Sequence, residues 1–281
     1  MIDTHLHVWQ LTRGWYGWNG PELGPLHSDS ALDDIAGELA SADVESVVLV
    51  QAADHVAETD WLLTLAENDA RVRGVVGYLP LSDRTALEML LRTYAGRPLV
   101  GVRQLWHDHP DPGELASAAV LGGLRLVGEA GLAVDVPDAF GGVWPALRTA
   151  VERLPRTRFV LDHCGKPPFG DPLRWDAWEA AFTDLAASPT VIVKLSGLFG
   201  GSGSAVPARP DELARVVELC RAVAGAERTL LGSDWPMTRG HLGYAESLRR
   251  LAALLSGWSP AELEAVSRGT AEAVYRPLEP S

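Results

Sequence analysis

Residues 44–51 read VESVVLVQ, an apolar run rich in β-branched residues that ends on a polar side chain. Such a run, without polar alternation, is typical of a strand buried on both faces of a parallel sheet. Seven further runs of this kind recur along the chain. They are Ile2 to His7, Val75 to Leu81, Leu99 to Leu105, Leu132 to Val136, Phe159 to His163, Val191 to Ser196 and Leu230 to Asp234.

Stretches with helical periodicity separate these runs. Strands that alternate with helices indicate a parallel sheet whose outer face the helices cover. With eight repeats in 281 residues, the sequence predicts a single α/β domain, residues 1–281, folded as a (β/α)8 TIM barrel. An open, doubly wound sheet is the alternative architecture. Candidate helices are Ala31 to Ala40, Glu58 to Asp69, Asp83 to Tyr94, Trp144 to Leu154, Trp175 to Ala186, Asp211 to Ala224 and Tyr244 to Leu255, with a flexible loop at Gly200 to Ser204.

Composition and charge exclude several classes of protein. Hydrophobic residues make up 47% of the chain and charged residues 22%, so global disorder is excluded. A net charge of −13 repels phosphate backbones and anionic lipid surfaces, which predicts neither a nucleic-acid nor a membrane partner. Cys164 and Cys220 are too few for a disulfide scaffold, and no signal or membrane segment is evident. A cytoplasmic location is therefore expected.

Polar residues terminate several of the otherwise apolar runs. In a barrel of this kind the active site is built at the C-terminal ends of the strands. The first run ends His5-Leu6-His7, and strand alternation sends both imidazoles to one face. Since polar groups are costly to bury unless they are paired, such ends predict one shared cavity. The later polar ends include Arg103, His163, Lys194 and Asp234.

Each of these residues also has a purely structural interpretation. Either His5 or His7 alone could be a satisfied core histidine. Asp234 could cap the next helix, although a Trp-Pro pair intervenes. Arg103 could belong to a structural ion pair, and Lys194 could fill the barrel interior against a carboxylate. Two histidines at i and i+2, together with the other polar strand ends, favour a functional site.

Several segments match, in order, the motifs of one enzyme superfamily. They are Asp3 to Trp9 (DTHLHVW), Val50 to Ala53, Gly101 to Arg103, Asp162 to Pro167 (DHCGKP), Lys194 to Leu198 and Gly232 to Pro236 (GSDWP). The first motif alone is a weak signal, but the ordered set is specific. On these segments, which run nearly end to end, the chain resembles the amidohydrolase superfamily. Within it, the chain resembles the branch of the sugar-lactone hydrolases and the pyrone-dicarboxylate lactonase.

The resemblance implies that His5, His7, His163 and Asp234 line the reaction centre and that Arg103 reaches the substrate. Asp234 would act as general base on a water molecule, and the imidazoles would polarise a lactone carbonyl. We therefore expect a lactone hydrolase that acts on a small molecule. A metal-dependent decarboxylase and a pyrone-dicarboxylate lactonase are the alternative enzymes, and a binding protein on the same scaffold is the non-enzyme alternative.

One departure from the superfamily pattern concerns metal. Members with two metals usually carry a bridging Lys or Glu on the fourth strand and His on the fifth and sixth, whereas this chain has Arg103 and Asp135 on the fourth and fifth. A guanidinium has no free lone pair for a metal, so a binuclear site is disfavoured. The three histidines and Asp234 remain able to hold one Zn²⁺ ion. No metal is expected to be essential.

Tryptophans indicate the kind of lactone. Five of the ten follow strand ends, namely Trp9, Trp15, Trp18, Trp106 and Trp235. Flat apolar rings suit the C–H face of a sugar, whereas a pyrone dicarboxylate calls for several arginines, and Arg103 alone ends a strand. The predicted substrate is an aldono-1,4- or 1,5-lactone such as fuconolactone, rhamnonolactone or galactonolactone. The predicted substrate-binding residues are Arg103, Trp18, Trp106, Lys194 and Trp235.

Overall fold

The central element of the fold is one parallel sheet of eight strands in sequence order. The computed structural model describes residues 1–137, 139–199 and 208–279, so the predicted flexible loop lies outside the described residues. The (β/α)8 barrel is confirmed, because a doubly wound sheet would reverse its strand order. The strands are β1 Ile2–Leu6, β2 Ser46–Val50, β3 Val72–Gly77, β4 Leu99–Arg103, β5 Ala133–Val136, β6 Arg158–Leu161, β7 Val191–Leu195 and β8 Thr229–Leu231.

The chain beyond β8 returns to β1 and closes the barrel. The amide of Asp234 donates to the carbonyl of His5 at 2.8 Å, and the amide of His7 donates to the carbonyl of Trp235 at 2.8 Å. Leu6 and Trp235 form a parallel bridge. Closure therefore lies at the C-terminal end of the barrel, among the polar strand ends.

The buried carboxylate of Asp3 also connects β1 to the segment after β8. Asp3 on β1 accepts hydrogen bonds from the amides of Ser233, at 2.9 Å, and His5, at 3.1 Å. The hydroxyl of Tyr244 also donates to Asp3, at 2.9 Å. Burial raises the pKa of Asp3, and these hydrogen bonds act in the opposite direction. Asp3 thus ties β1 to the segment after β8.

Helices cover the outside of the sheet, and Tyr275 packs with an inner cluster of β-branched strand residues. Within the described ranges, no helix combines the length and apolar character needed to cross a membrane. The helices are α1 Ala36–Ser41, α2 Val56–Asn68, α3 Arg84–Thr93, α4 Ala118–Glu129, α5 Trp144–Arg153, α6 Pro172–Ala186, α7 Pro210–Val223, α8 Tyr244–Leu254, α9 Pro260–Glu264 and α10 Thr270–Val274, with a π-helical turn at Ala265–Gly269.

Several predicted strands extend too far at their C-terminal ends. The residues there leave the ladder to face the barrel mouth, and His163 and Asp234 adopt left-handed backbone, with φ of 54° and 60°. The third strand starts earlier than predicted, at Val72, because the exposed Arg73 interrupts the apolar run, whereas Val72 still pairs with Val47 across a register shift at Arg73. It ends before Pro80, which has no amide to donate.

Helix α4 is absent from the sequence-based prediction because Gly122 and Gly123 lower helical propensity. Ser117 caps this helix by accepting a hydrogen bond from the amide of Val120. A Cβ atom at Gly123 would lie 2.1 Å from the carbonyl oxygen of Leu81. Glycine therefore allows α4 to approach the backbone that follows β3.

Gly123→Ala is expected to lower the free energy of unfolding by about 1–3 kcal/mol, the usual cost of overpacking a core position. Gly122→Ala is the matched control, because a Cβ atom there meets nothing within 4 Å. Since Ala favours helix over Gly, the control is expected to stabilise by up to ~1 kcal/mol. Denaturant unfolding followed by circular dichroism measures both. Equal stabilities of the two variants would contradict this packing explanation.

Candidate active site

Four of the predicted site residues converge at the C-terminal end of the barrel. The Nε2 atoms of His5 and His7 are 3.2 Å apart. Asp234 Oδ1 lies 3.7 Å from His5 Nε2, 3.6 Å from His7 Nε2 and 3.8 Å from His163 Nε2. One carboxylate oxygen thus faces three imidazole nitrogens from β1 and from the segment after β6.

The backbone aims two of these side chains inward. His163 and Asp234 are among the described non-glycine residues with positive φ, a costly conformation that is common at functional sites. Gly197, which follows β7, has a φ of 62°. A Cβ atom at Gly197 would lie 2.7 Å from His163 Nδ1 and 2.8 Å from Asp234 Oδ2. The absence of a side chain at Gly197 therefore makes room for both residues.

Hydrogen bonds orient the two histidines nearest to solvent. His7 Nδ1 lies 2.8 Å from the carbonyl oxygen of Val50, which only accepts, so His7 Nδ1 carries a proton. Burial lowers the pKa of His7 and favours its neutral form, whose Nε2 then has a free lone pair. His163 Nδ1 is hydrogen-bonded to Ser196 Oγ at 2.8 Å. The hydrogen bonds at Nδ1 thus fix the orientation of both rings.

A cluster of buried charges lies behind His5. Lys194 Nζ is 2.5 Å from Asp135 Oδ2, 2.9 Å from Asp162 Oδ1 and 3.2 Å from His5 Nδ1. The Tyr275 hydroxyl donates to Asp135 Oδ2 at 2.6 Å. Lys194, Asp135 and Asp162 have no exposed surface. Isolated buried charges are very costly, so this cluster is stable only as a unit.

Burial and charge act in opposite directions within this cluster. Burial raises the pKa of Asp135 to about 6, although Lys194 opposes the change. Burial also acts to raise the pKa of Asp162, but the positive charges of Lys194 and Arg103 outweigh it and hold that pKa well below its ordinary value. The two carboxylates keep the pKa of Lys194 raised against the effect of burial. Burial lowers the pKa of His5 far enough to favour a neutral ring.

Arg103 connects the charge cluster to the barrel mouth. Its Nη1 donates to Asp162 Oδ2 at 3.2 Å and lies 3.2 Å from His5 Nε2. Its Nε is buried and has no hydrogen-bond partner within the described part of the chain; the same holds for Gln51 Oε1 and Trp106 Nε1. Buried polar atoms without partners are rare, so these three atoms, at the ends of β2 and β4, point to an incoming ligand.

The predicted substrate contacts differ in accessibility. Trp106 and Lys194 have no exposed surface, and Trp235 is 4% exposed with the Arg239 guanidinium 4.9 Å from its ring centroid. Trp18 is partly exposed and donates from Nε1 to the carbonyl of Ala52 at 2.7 Å. Lys194 forms the interior ion pair that was its structural interpretation, and Trp106 packs in the hydrophobic core. Their assignment as substrate contacts stays a prediction.

Three residues of the charge cluster were not among the predicted site residues. Asp162 directly precedes His163 in the DHCGKP segment, so the motif itself contained the signal. Asp135 interrupts an apolar strand, which is a weaker signal. Tyr275 lies 140 residues from Asp135 in sequence, and no local pattern relates the two. Only the closed barrel brings them together.

The donor atoms at the site fit one divalent cation. Around a zinc ion with bonds of about 2.1 Å, tetrahedral ligands lie roughly 3.4 Å apart. Four separations among these donors, from His5 Nε2 to His7 Nε2 and from Asp234 Oδ1 to the Nε2 atoms of His5, His7 and His163, range from 3.2 to 3.8 Å. The candidate ligands form two groups that share His5. One group is His5, His7 and Asp234, and the other is His5, Asp162 and His163.

Comparison with known proteins places the chain among amidohydrolases. The amidohydrolase family profile matches residues 2–276. L-fucono-1,5-lactonase of Burkholderia ambifaria is 34% identical over 252 residues, which are 86% of this chain and 83% of that protein. L-fucono-1,5-lactonase of Burkholderia multivorans is 31% identical over 294 residues, 100% of this chain and 97% of that protein. A Burkholderia multivorans amidohydrolase crystallised with bound zinc superposes with a TM-score of 0.87 at 28% identity, covering 98% of each chain.

Gly197→Ala is expected to lower kcat by about 100-fold, because displacing catalytic groups by an ångström costs about that much. Gly225→Ala is the matched control: its φ is 72°, but a Cβ atom there meets nothing within 4 Å. Both variants carry the strain of left-handed alanine, so both lose stability, whereas only the first should lose kcat. Initial rates and thermal unfolding of the two variants separate these effects. A similar kcat loss in both would refute the assigned role of Gly197.

Proposed function

Because the chain belongs to the amidohydrolase family, we propose that it is a hydrolase that opens a small sugar lactone. The observation that carries this proposal is the Asp234 carboxylate beside three imidazoles, with the donors of Arg103 close by. The similarity to two L-fucono-1,5-lactonases supports the substrate class.

The residues support direct attack by water on the lactone carbonyl. Asp234 takes a proton from the water and later returns it to the ring oxygen as that oxygen leaves. Arg103 and His5 stabilise the negative charge that develops on the carbonyl oxygen. His7 Nε2, with its lone pair free, accepts from the attacking water instead of donating to the oxyanion. This assignment refines the expected role of His7. Its Nδ1–H donates a hydrogen bond to the Val50 carbonyl, so its Nε2 carries no proton to donate to the oxyanion.

The polar groups at the mouth favour a neutral substrate with several hydroxyls. Hydroxyl groups both donate and accept, so they can satisfy Gln51 Oε1, Arg103 Nε and Trp106 Nε1. The exposed Asp54 carboxylate accepts from the Leu105 amide at 3.0 Å and adds negative charge at this end of the barrel. That charge repels a pyrone dicarboxylate but accepts hydrogen bonds from a polyol.

One divalent cation fits the site, and His5, His7 and Asp234 would hold it, with His163 as the fourth ligand expected from the sequence. When bound, such an ion supplies Lewis acidity at the carbonyl and a more acidic water. We propose that hydrolysis does not require it, because Asp234 provides the base and Arg103 and His5 provide oxyanion donors. The similar zinc-containing amidohydrolase is consistent with occasional occupancy.

Asp234→Asn is expected to lower kcat at least ~100-fold while the fold stays intact, since general-base catalysis contributes about that much. Asp43→Asn is the matched control, because Asp43 also has positive φ, 52°, but is exposed and outside the site. Near wild-type turnover by the Asp234 variant would remove this residue from the mechanism. Lactone hydrolysis is followed through acid release with a pH indicator.

A substrate panel tests the proposed activity against its alternatives. L-fuconolactone, L-rhamnonolactone and L-galactonolactone are expected to give higher kcat/KM values than 2-pyrone-4,6-dicarboxylate, because the mouth carries an exposed carboxylate. A higher value for the dicarboxylate than for every sugar lactone would reverse the substrate assignment. A metal-dependent decarboxylase would release CO2 from an aromatic or muconate acid, and a binding protein would turn over neither class.

A further inference from the structure

Glu58 is a buried carboxylate in the first turn of α2 that the proposed mechanism does not use. Its side chain has no exposed surface, and its oxygens accept hydrogen bonds from two backbone amides. The Ala52 amide nitrogen lies 3.1 Å from Oε1 and 3.2 Å from Oε2, and the Ala53 amide nitrogen lies 2.9 Å from Oε2. The carboxylate therefore holds segment 51–54, which follows β2 at the barrel mouth.

The same segment contacts two other parts of the mouth. The Gln51 side chain donates to the Arg103 carbonyl at the end of β4, at 3.2 Å. The Trp18 indole, from the segment after β1, donates to the Ala52 carbonyl at 2.7 Å. Both peptide groups of Ala52 are thus used, since its amide faces Glu58 and its carbonyl faces Trp18. A shift of this segment would displace groups from both neighbours together.

We propose that Glu58 is a positioning residue for substrate binding. By holding segment 51–54, its ionised carboxylate keeps Trp18 and Gln51 in place for the lactone. A carboxylate accepts both amides through charge-assisted hydrogen bonds, which are about twice as strong as neutral ones. A protonated carboxyl group keeps one good acceptor oxygen, so one of the two amides loses most of its hydrogen bond. In its kinetic consequence this proposal rests on the proposed lactone hydrolysis.

The surroundings of Glu58 make its charge depend on pH near neutrality. Burial raises the pKa of Glu58 to about 7, whereas the two amides, the Tyr16 hydroxyl and the Arg103 charge act to lower it. Tyr16 belongs to the segment after β1, and Arg103 ends β4. The titratable groups nearest along the chain are Asp54 and His55. Above this pKa the ionised carboxylate holds both amides, and below it the protonated group holds them more weakly.

The first measurement uses the wild-type chain without substrate. Gln51-Ala52 is the one glutamine–alanine step in the sequence, so labelling with ¹³C-glutamine and ¹⁵N-alanine selects the Ala52 amide signal in a nuclear magnetic resonance spectrum. An amide proton that donates to a carboxyl group moves to lower field when that group ionises. We expect this shift at Ala52 with a midpoint of about pH 7. The Trp18 indole signal, identified by its loss in Trp18→Phe, should follow the same titration. An Ala52 signal that does not titrate would overturn the proposal.

The second measurement uses Glu58→Gln, which keeps the shape of the side chain but not its charge. The Gln amide accepts one backbone N–H and turns its own donors toward the other, as a protonated carboxyl group does. We expect the titration at Ala52 to disappear. KM for a sugar lactone should fall ~5-fold from about pH 6 to about pH 8 in wild type but stay high in the variant, since a charged hydrogen bond exceeds a neutral one by about that much.

The turnover number separates positioning from catalysis. We expect kcat of Glu58→Gln to stay within ~2-fold of wild type, because barrel closure holds His5, His7 and Asp234 independently of segment 51–54. A fall in kcat with unchanged KM would overturn the proposal. A titration at Ala52 that persists in the variant would belong to a neighbouring group and would overturn it as well.

Glu67→Gln is the matched control on the same helix. Glu67 pairs with Arg97 at the other end of α2, away from the mouth. Its KM, its kcat and its Ala52 titration should match those of wild type. An equal rise in KM in both variants would show a general effect of charge loss on α2 and would refute the proposal. If wild type opens no lactone, the proposed function fails, while the Ala52 and Trp18 titrations still decide whether Glu58 positions the mouth.

Discussion

Closure of the barrel between β1 and the segment after β8 is the constraint on which the site depends. Two backbone hydrogen bonds join His5 and His7 to Asp234 and Trp235, and they place the proposed base beside the histidines. The buried Asp3 carboxylate adds further hydrogen bonds between β1 and the segment after β8. The atoms that close the fold are thus neighbours of the atoms that are proposed to react, so errors in closure would disturb both.

The interior charge cluster is the second constraint. A lysine and two aspartates without exposed surface would be very costly apart, yet they stand directly behind His5. Their separation from solvent strengthens each interaction, because a low local dielectric magnifies both pairing and its loss. The cluster therefore holds one imidazole in one orientation, while a backbone carbonyl does the same for His7.

The mouth of the barrel explains how a chain with net charge −13 can still bind an oxygen-rich substrate. Buried polar atoms at the ends of β2 and β4 that have no partner among the described residues can form hydrogen bonds with a substrate, and Arg103 is the one cation among these groups. The tryptophans contribute mostly by packing: Trp9 and Trp106 have no exposed surface, so their rings support the loops that carry the polar atoms. The proposed recognition of the substrate at this end of the barrel therefore depends on hydrogen bonding more than on stacking.

Repeated apolar runs with polar ends predicted the barrel and placed His5, His7, His163 and Asp234 among the candidate site residues, because strand burial and side-chain alternation are local properties of the sequence. The resemblance to amidohydrolases then assigned these four to the reaction centre. The same local reasoning missed α4, since the close approach of Gly123 to Leu81 involves a distant segment. Its assignment of Lys194 and Trp106 as substrate contacts stays a prediction, and only the folded chain shows that both side chains are buried. The pairing of Lys194 with Asp135 and Asp162, and of Asp135 with Tyr275, was decided by tertiary structure alone, because those side chains come from different strands and from the C-terminal segment. Hydrogen-bond partners, and hence the proton positions on each histidine, depend on distances that only closure of the barrel sets.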